Sequence, residues 1–123
     1  MMTELPQGEP LLVTVTDGLF AHVTPDAADD FVMTLDAVAA VFGVDAELIY
    51  THRLHNKYLV SGFHYHMFIP MLGFSRLGNS VIAQYFTKQG VILLGHYLHG
   101  DRAKTVQGWA KKLDFATLAN AAT

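Results

Sequence analysis

Apolar and polar residues alternate over residues 11–16 (LLVTVT) and again over residues 19–24 (LFAHVT), the period-two signature of strands with one buried face. Asp17-Gly18 between the two runs predicts a tight hairpin, because glycine tolerates the positive φ of a two-residue turn. After Thr24-Pro25-Asp26 the period changes. Phe31, Leu35, Val38 and Phe42 recur at helical spacing. Thr24 is placed to cap such a helix, Pro25 to fill its first position, and Asp26, Asp29 and Asp30 to favour the positive end of its dipole. Gly43 stands where a left-handed cap would end it.

Residues 46–51 (AELIYT) predict another strand, the polar residues 53–57 break it, and residues 58–69 predict a longer one with Gly62 inside. Pro70 and Gly73 end that run. Leu77, Val81, Ile82, Tyr85 and Phe86 fit a helix face over residues 74–89, which Gly90 stops. Residues 91–98 (VILLGHYL) predict a short strand buried on both faces, and residues 103–119 a final helix with Trp109 and Leu113 on one side. With the first hairpin strand set aside, the order is strand, helix, strand, strand, helix, strand. The expected fold is α+β: a ferredoxin-like split βαβ (βαββαβ) antiparallel sheet with an extra N-terminal strand and a C-terminal helix. A chain of 123 residues is one domain's length, its core expected over residues 19–98.

Composition narrows the chemistry. The absence of cysteine excludes a disulfide scaffold, a thiolate metal site, a cysteine nucleophile and an iron–sulfur cluster. Apolar residues make up 51% and charged residues only 15%, so polar cover is thin and a homodimer or higher homo-oligomer is expected. A net charge of −3 supplies no general attraction to nucleic acid, which is not expected as a partner. No apolar run approaches the roughly 18 residues of a spanning helix, so no membrane partner is expected either. Residues 1–10 lack the charged and apolar regions of a signal peptide, and the expected location is the cytoplasm.

Histidine is the unusual number: seven, against eight Lys and Arg together. It is the commonest metal ligand and the near-neutral proton carrier. In the expected strands His64 and His66 point the same way, His22 shares a face with Phe20, and His96 with Ile92 and Leu94. A ferredoxin-like sheet orders its strands 4-1-3-2, which sets the strands of His96, His22 and His64 side by side at about 4.8 Å spacing. The three imidazoles are therefore candidate ligands of one metal, against the plainer reading of each as a packed or solvated residue. His52 and His55, flanked by Arg53, Asn56 and Lys57, read as an exposed loop.

Several local motifs occur in a telling order: Phe20-Ala21-His22-Val23; Phe42-Gly43 at a helix end; Gly62-Phe63-His64-Tyr65 followed by Met67; Gly90 opening a strand to His96-Tyr97-Leu98-His99-Gly100-Asp101; then Trp109 and Leu113-Asp114. Over residues 19–115 this order resembles the DOPA 4,5-dioxygenase-like family, small ferredoxin-like proteins that open catechol rings with non-heme iron. Phe20 stands at that family's first His, Phe63 and Tyr65 at its two prolines, and Tyr97 and His99 at its Pro and Thr. The resemblance implies an extradiol dioxygenase with Fe(II) held by His22, His64 and His96. His66 and His99 would serve as acid/base, and Tyr65 and Tyr97 would lie against a small aromatic substrate such as DOPA, with O2 as the second substrate. No carboxylate falls plainly beside the three ligands; Asp17 and Asp101 are nearest in sequence. Two other classes stay open. One is a metal-free small-ligand-binding or dimerisation module of the same fold. The other is a metal-dependent single-stranded DNA endonuclease using His64-Tyr65-His66 with Tyr85 as nucleophile, which the acidic balance disfavours.

Overall fold

A computed structural model describes residues 10–68 and 83–121. The chain runs β1 (Leu11–Thr16), β2 (Leu19–Asp26), β3 (Asp30–Thr34), α1 (Leu35–Phe42), α2 (Ala46–His55), β4 (Tyr65–Phe68), β5 (Ala83–Thr87), α3 (Lys88–Tyr97), α4 (Asp101–Lys112) and α5 (Phe115–Ala121). The five strands form one antiparallel sheet in the order β1-β2-β3-β5-β4. The fold is α+β. β3 and β4 flank β5 and each is antiparallel to it, so they run parallel to one another, joined through α1 and α2. This is a split βαβ unit, compatible with a ferredoxin-like arrangement. β2 fills the place beside β3 that the expected closing strand would have taken.

The β1–β2 hairpin forms as expected. The helix expected from Thr24 to Gly43 does not: its first half is strand. Thr24, Phe31, Val32 and Met33 are all buried, a run with no polar side, and β3 lies between β2 and β5. Asp26 accepts the amides of Ala28 and Asp29 at 2.8 and 3.1 Å, closing a turn instead of opening a helix. The true N-cap is Thr34, whose hydroxyl accepts the Ala37 amide at 3.1 Å.

The strands expected over residues 46–51 and 91–98 are both helical. In α2, Glu47 in the first turn and His52, Arg53 and His55 in the last suit the helix dipole, and this outweighs the strand propensity of Ile49, Tyr50 and Thr51. In α3 the N-cap is Thr87, which accepts the Gly90 amide. Of the strand expected over residues 58–69, only β4 forms; Gly62, with φ of +89°, turns the chain just before it. The helix expected over residues 74–89 is strand β5 and the start of α3 where described, and residues 69–82 lie outside the described residues. Leu113-Asp114 divides the expected final helix in two, because Asp114 accepts the Thr117 amide at 2.8 Å and starts α5 afresh.

The core gathers Phe31, Met33, Val38, Phe42, Ile49, Phe86, Val91, Leu94, Val106 and Leu118 between the sheet and its helices. Gly90 is where α3 meets the turn before β4: a Cβ there would collide with the backbone oxygen of His64. Gly90→Ala is therefore expected to destabilise by about 1–3 kcal/mol or more. Gly108→Ala, in open space inside α4, should be neutral or stabilise by up to about 1 kcal/mol. Urea midpoints of the two variants check the pair; equal midpoints would remove the close contact from the argument.

Candidate functional site

α1 ends on a complete left-handed cap. Gly43, with φ of +71°, donates to Ala40, and the next amide, Val44, reaches back to Ala39 at 3.0 Å. Three residues, Gly43, Val44 and Asp45, then separate α1 from α2, whose first turn closes through the Leu48 amide on the Asp45 carbonyl. From α4, Arg102 braces this corner, donating to the Val41 and Ala40 carbonyls at 2.8 and 2.9 Å. A cation on the last carbonyls of a helix satisfies both their lone pairs and the dipole.

Held this way, α2 need bury little. Ile49 is its one buried residue, whereas Leu48, Tyr50 and Leu54 are each 40% exposed or more, and Glu47, Thr51 and His55 lie open. Glu47, Thr51 and His55 recur every four residues and form one stripe with Leu48; Tyr50 and Leu54 form the next. A shallow groove of about 290 Å³ follows Thr51, His52, His55 and Asn56. Beyond the helix, Asn56 accepts the Tyr58 amide at 3.0 Å and faces the His52 ring, which in turn packs on Tyr97. Tyr58 also stacks on Tyr97, and the Lys57 ammonium lies 5.4 Å from the Tyr58 ring. The Arg53 guanidinium lies over Tyr50 and Tyr65, at 5.1 and 5.8 Å.

The net charge of −3 conceals a segregation. From Leu48 to Gly100 the sequence carries no Asp or Glu, yet it holds Arg53, Lys57, Arg76 and Lys88 and every histidine except His22. On α2 itself the carboxylates of Asp45 and Glu47 stand at the N-terminal end, and the cations Arg53 and Lys57 at the other.

The expected metal site does not assemble. His22 is exposed on β2, opposite Leu12. His64 sits in the turn before β4, where its Nδ1 accepts the Val60 amide at 2.9 Å and its ring meets Phe63 edge-on. His96 is exposed in the last turn of α3, so no strand carries it beside β2. β3 and β5 separate β2 from β4, which places those strands about 14 Å apart at ordinary spacing. Among the described residues, no group of three or more His, Cys, Asp or Glu is arranged to hold a metal ion. These residues do not fit Fe(II).

The other expected residues part company too. His66 is half-buried with its Nε2 2.9 Å from the Asp29 carboxylate, while His99 is exposed between α3 and α4. Tyr65 is buried against Phe86, its ring turned to the core. Tyr97 alone lies in the candidate site, its ring against those of His52 and Tyr58. The sequence reading passed over α2 itself. Its signal was Asp45 and Glu47 just after the Phe42-Gly43 stop, with His and Arg one helix length later.

Burial holds the His64 imidazole below the ordinary histidine value. The stability contributed by its neutral ring is present above that ordinary value and is lost as pH falls through the lowered one, since the unfolded chain then binds the extra proton. Protonating Nδ1 also removes the acceptor of the Val60 amide. Hydrogen exchange at Val60, corrected for intrinsic rate, should therefore quicken from about pH 7 to about pH 5, while exchange at Ala37, bonded to a hydroxyl, should not. Constant protection at Val60 would refute this.

No family model, no curated protein and no solved structure matches the chain, so the functional reading rests on the geometry of these residues.

Proposed function

We propose that this chain is a DNA-binding module of helix-turn-helix type, in which α2 enters the major groove. One observation carries the reading: two short helices meet through a three-residue, glycine-capped turn, and the second buries only Ile49. A helix held at its corner and otherwise open is how such modules offer a recognition helix to base edges. The chemistry along α2 suits that role. Thr51 and His55 carry groups able to hydrogen-bond base edges, Glu47 can accept from cytosine N4, and Leu48 suits a thymine methyl. Lys57, beyond the C-terminus of α2, is placed for the phosphate backbone. Beyond Glu47, α2 and the loop after it carry no carboxylate, which limits the repulsion that the overall charge would suggest.

Fluorescence anisotropy of the full chain with duplexes selected from a random pool tests this. Binding is expected to weaken as salt rises, and Lys57→Glu should weaken it on all sequences and lower the salt slope by about one or more. Thr51→Ala and His55→Ala should instead relax discrimination, by about 1–3 kcal/mol at each base that the side chain reads. His22→Ala, on the outer face of β2, should change neither. Recovery of no bound duplex at about 50 mM salt, from protein with an unaltered circular dichroism spectrum, would end the proposal.

A further inference from the structure

Arg102 and Lys88 each donate to oxygen, the first to the Val41 and Ala40 carbonyls and the second to the Leu113 carbonyl and the Asp30 carboxylate. Arg53, in the last turn of α2, meets aromatic rings instead. Its guanidinium carbon lies 5.1 Å from the centre of the Tyr50 ring and 5.8 Å from that of Tyr65. Its Nε is buried with no acceptor, and among the described residues no oxygen accepts from its terminal nitrogens. Neither ion pair of the described residues includes it. In sequence the nearest acids are Glu47 before it and Asp101 after it. A guanidinium drawn partly out of water with no acceptor costs stability. The fold therefore keeps at this place a planar set of donors that no described residue fills.

We infer that Arg53 binds a phosphate group, its terminal nitrogens donating in parallel to two phosphate oxygens. The planar fork of arginine matches a phosphate in this way, which the point charge of lysine does not. The Tyr50 and Tyr65 contacts fix the guanidinium, so little side-chain freedom is left to lose when the anion arrives. Position on the helix says which phosphate. Arg53 follows buried Ile49 by four residues, which sets it on the flank of α2 beside the core and off the open stripe of Glu47, Thr51 and His55. A helix in the major groove turns its open stripe to the base edges and its flanks to the phosphate ridges. With α2 as a DNA-reading helix, on which this assignment rests, Arg53 grips a backbone phosphate and fixes the seat of the helix in the groove without reading sequence.

The side-chain NMR signals of Arg53 in the full, unaltered chain read the site directly. Inorganic phosphate, exchanged for chloride at constant ionic strength, should shift the Arg53 Nε–H signal and slow rotation about the Cζ–Nη bonds. A bound duplex should do the same at far lower concentration. Arg53→Lys keeps the charge and loses the fork. It is expected to weaken duplex binding about tenfold or more on every sequence, with the salt slope unchanged, whereas Lys57→Glu lowers that slope. Arg53 signals that move with neither phosphate nor duplex overturn the inference, and leave the guanidinium as a ring contact between α2 and β4. So does equal duplex affinity in Arg53→Lys and the unaltered chain; α2 then still reads DNA, and only the part given to Arg53 falls. A response to phosphate from a chain that binds no duplex keeps the site, makes free phosphate its ligand, and removes the DNA reading instead.

Discussion

A helix ends on carbonyls that have no partner inside it, and on the negative pole of its dipole. In this protein the end of α1 matters most, because α2 must leave from it at a fixed angle. Gly43 turns the backbone, and Arg102 closes the corner from α4 with two hydrogen bonds to Val41 and Ala40. The fit is close: a Cβ on Gly43 would stand 2.9 Å from the guanidinium carbon of Arg102. α1 packs on β2, β3 and β5, and since α4 packs on α3, and α3 on β3 and β5, Arg102 gives the corner a second tie to the core. α2 adds its own anchor, the buried Ile49, and packs on α1. With one buried residue, most of the helix remains open to contact.

Charge distribution follows the same division of labour. The acidic β2–β3 turn is engaged internally: Asp29 meets His66 on β4, while Asp30 accepts the Phe115 amide and faces Lys88, which also donates to the Leu113 carbonyl. Asp30 takes a φ of +67°, a conformation costly for a residue with a Cβ and kept because these partners determine it. Carboxylates thus close the fold at one end of the sheet. The chain from Leu48 to Gly100 is left with cations and imidazoles, and net charge, which sums over both regions, hides the difference.

Much of the fold class was legible in the sequence, and most of the helix–strand assignments after the first hairpin were not. Local alternation and Asp17-Gly18 defined β1 and β2 because an edge hairpin obeys local rules. The buried β3 has no polar side, so Phe31 and its neighbours fitted a helical period as well as a strand. In α3, Val91, Ile92 and Leu93 carry strand propensity, yet Thr87 caps a helix there and Gly90 lets it pass the His64 carbonyl, an approach no sequence window contains. The expected metal site failed for that reason: it required His96 on a strand. The cue for α2 was present in Asp45 and Glu47, but it competed with Ile49 and Tyr50, and capping is weak beside apolar pattern when a helix buries one residue.

The exposed α2 and the half-covered β1 arise from one shortage. Five strands at ordinary spacing make a sheet on the order of 20 Å wide, and each packed helix covers about 10 Å of it. α1 lies over β2, β3 and β5, and α4 reaches β1 only in part, so the sheet edge keeps Leu11, Val13 and Val15 half-wet. Among the described residues β1 and β4 are the two edges, and α2 leans on β4 through Arg53 and Tyr65.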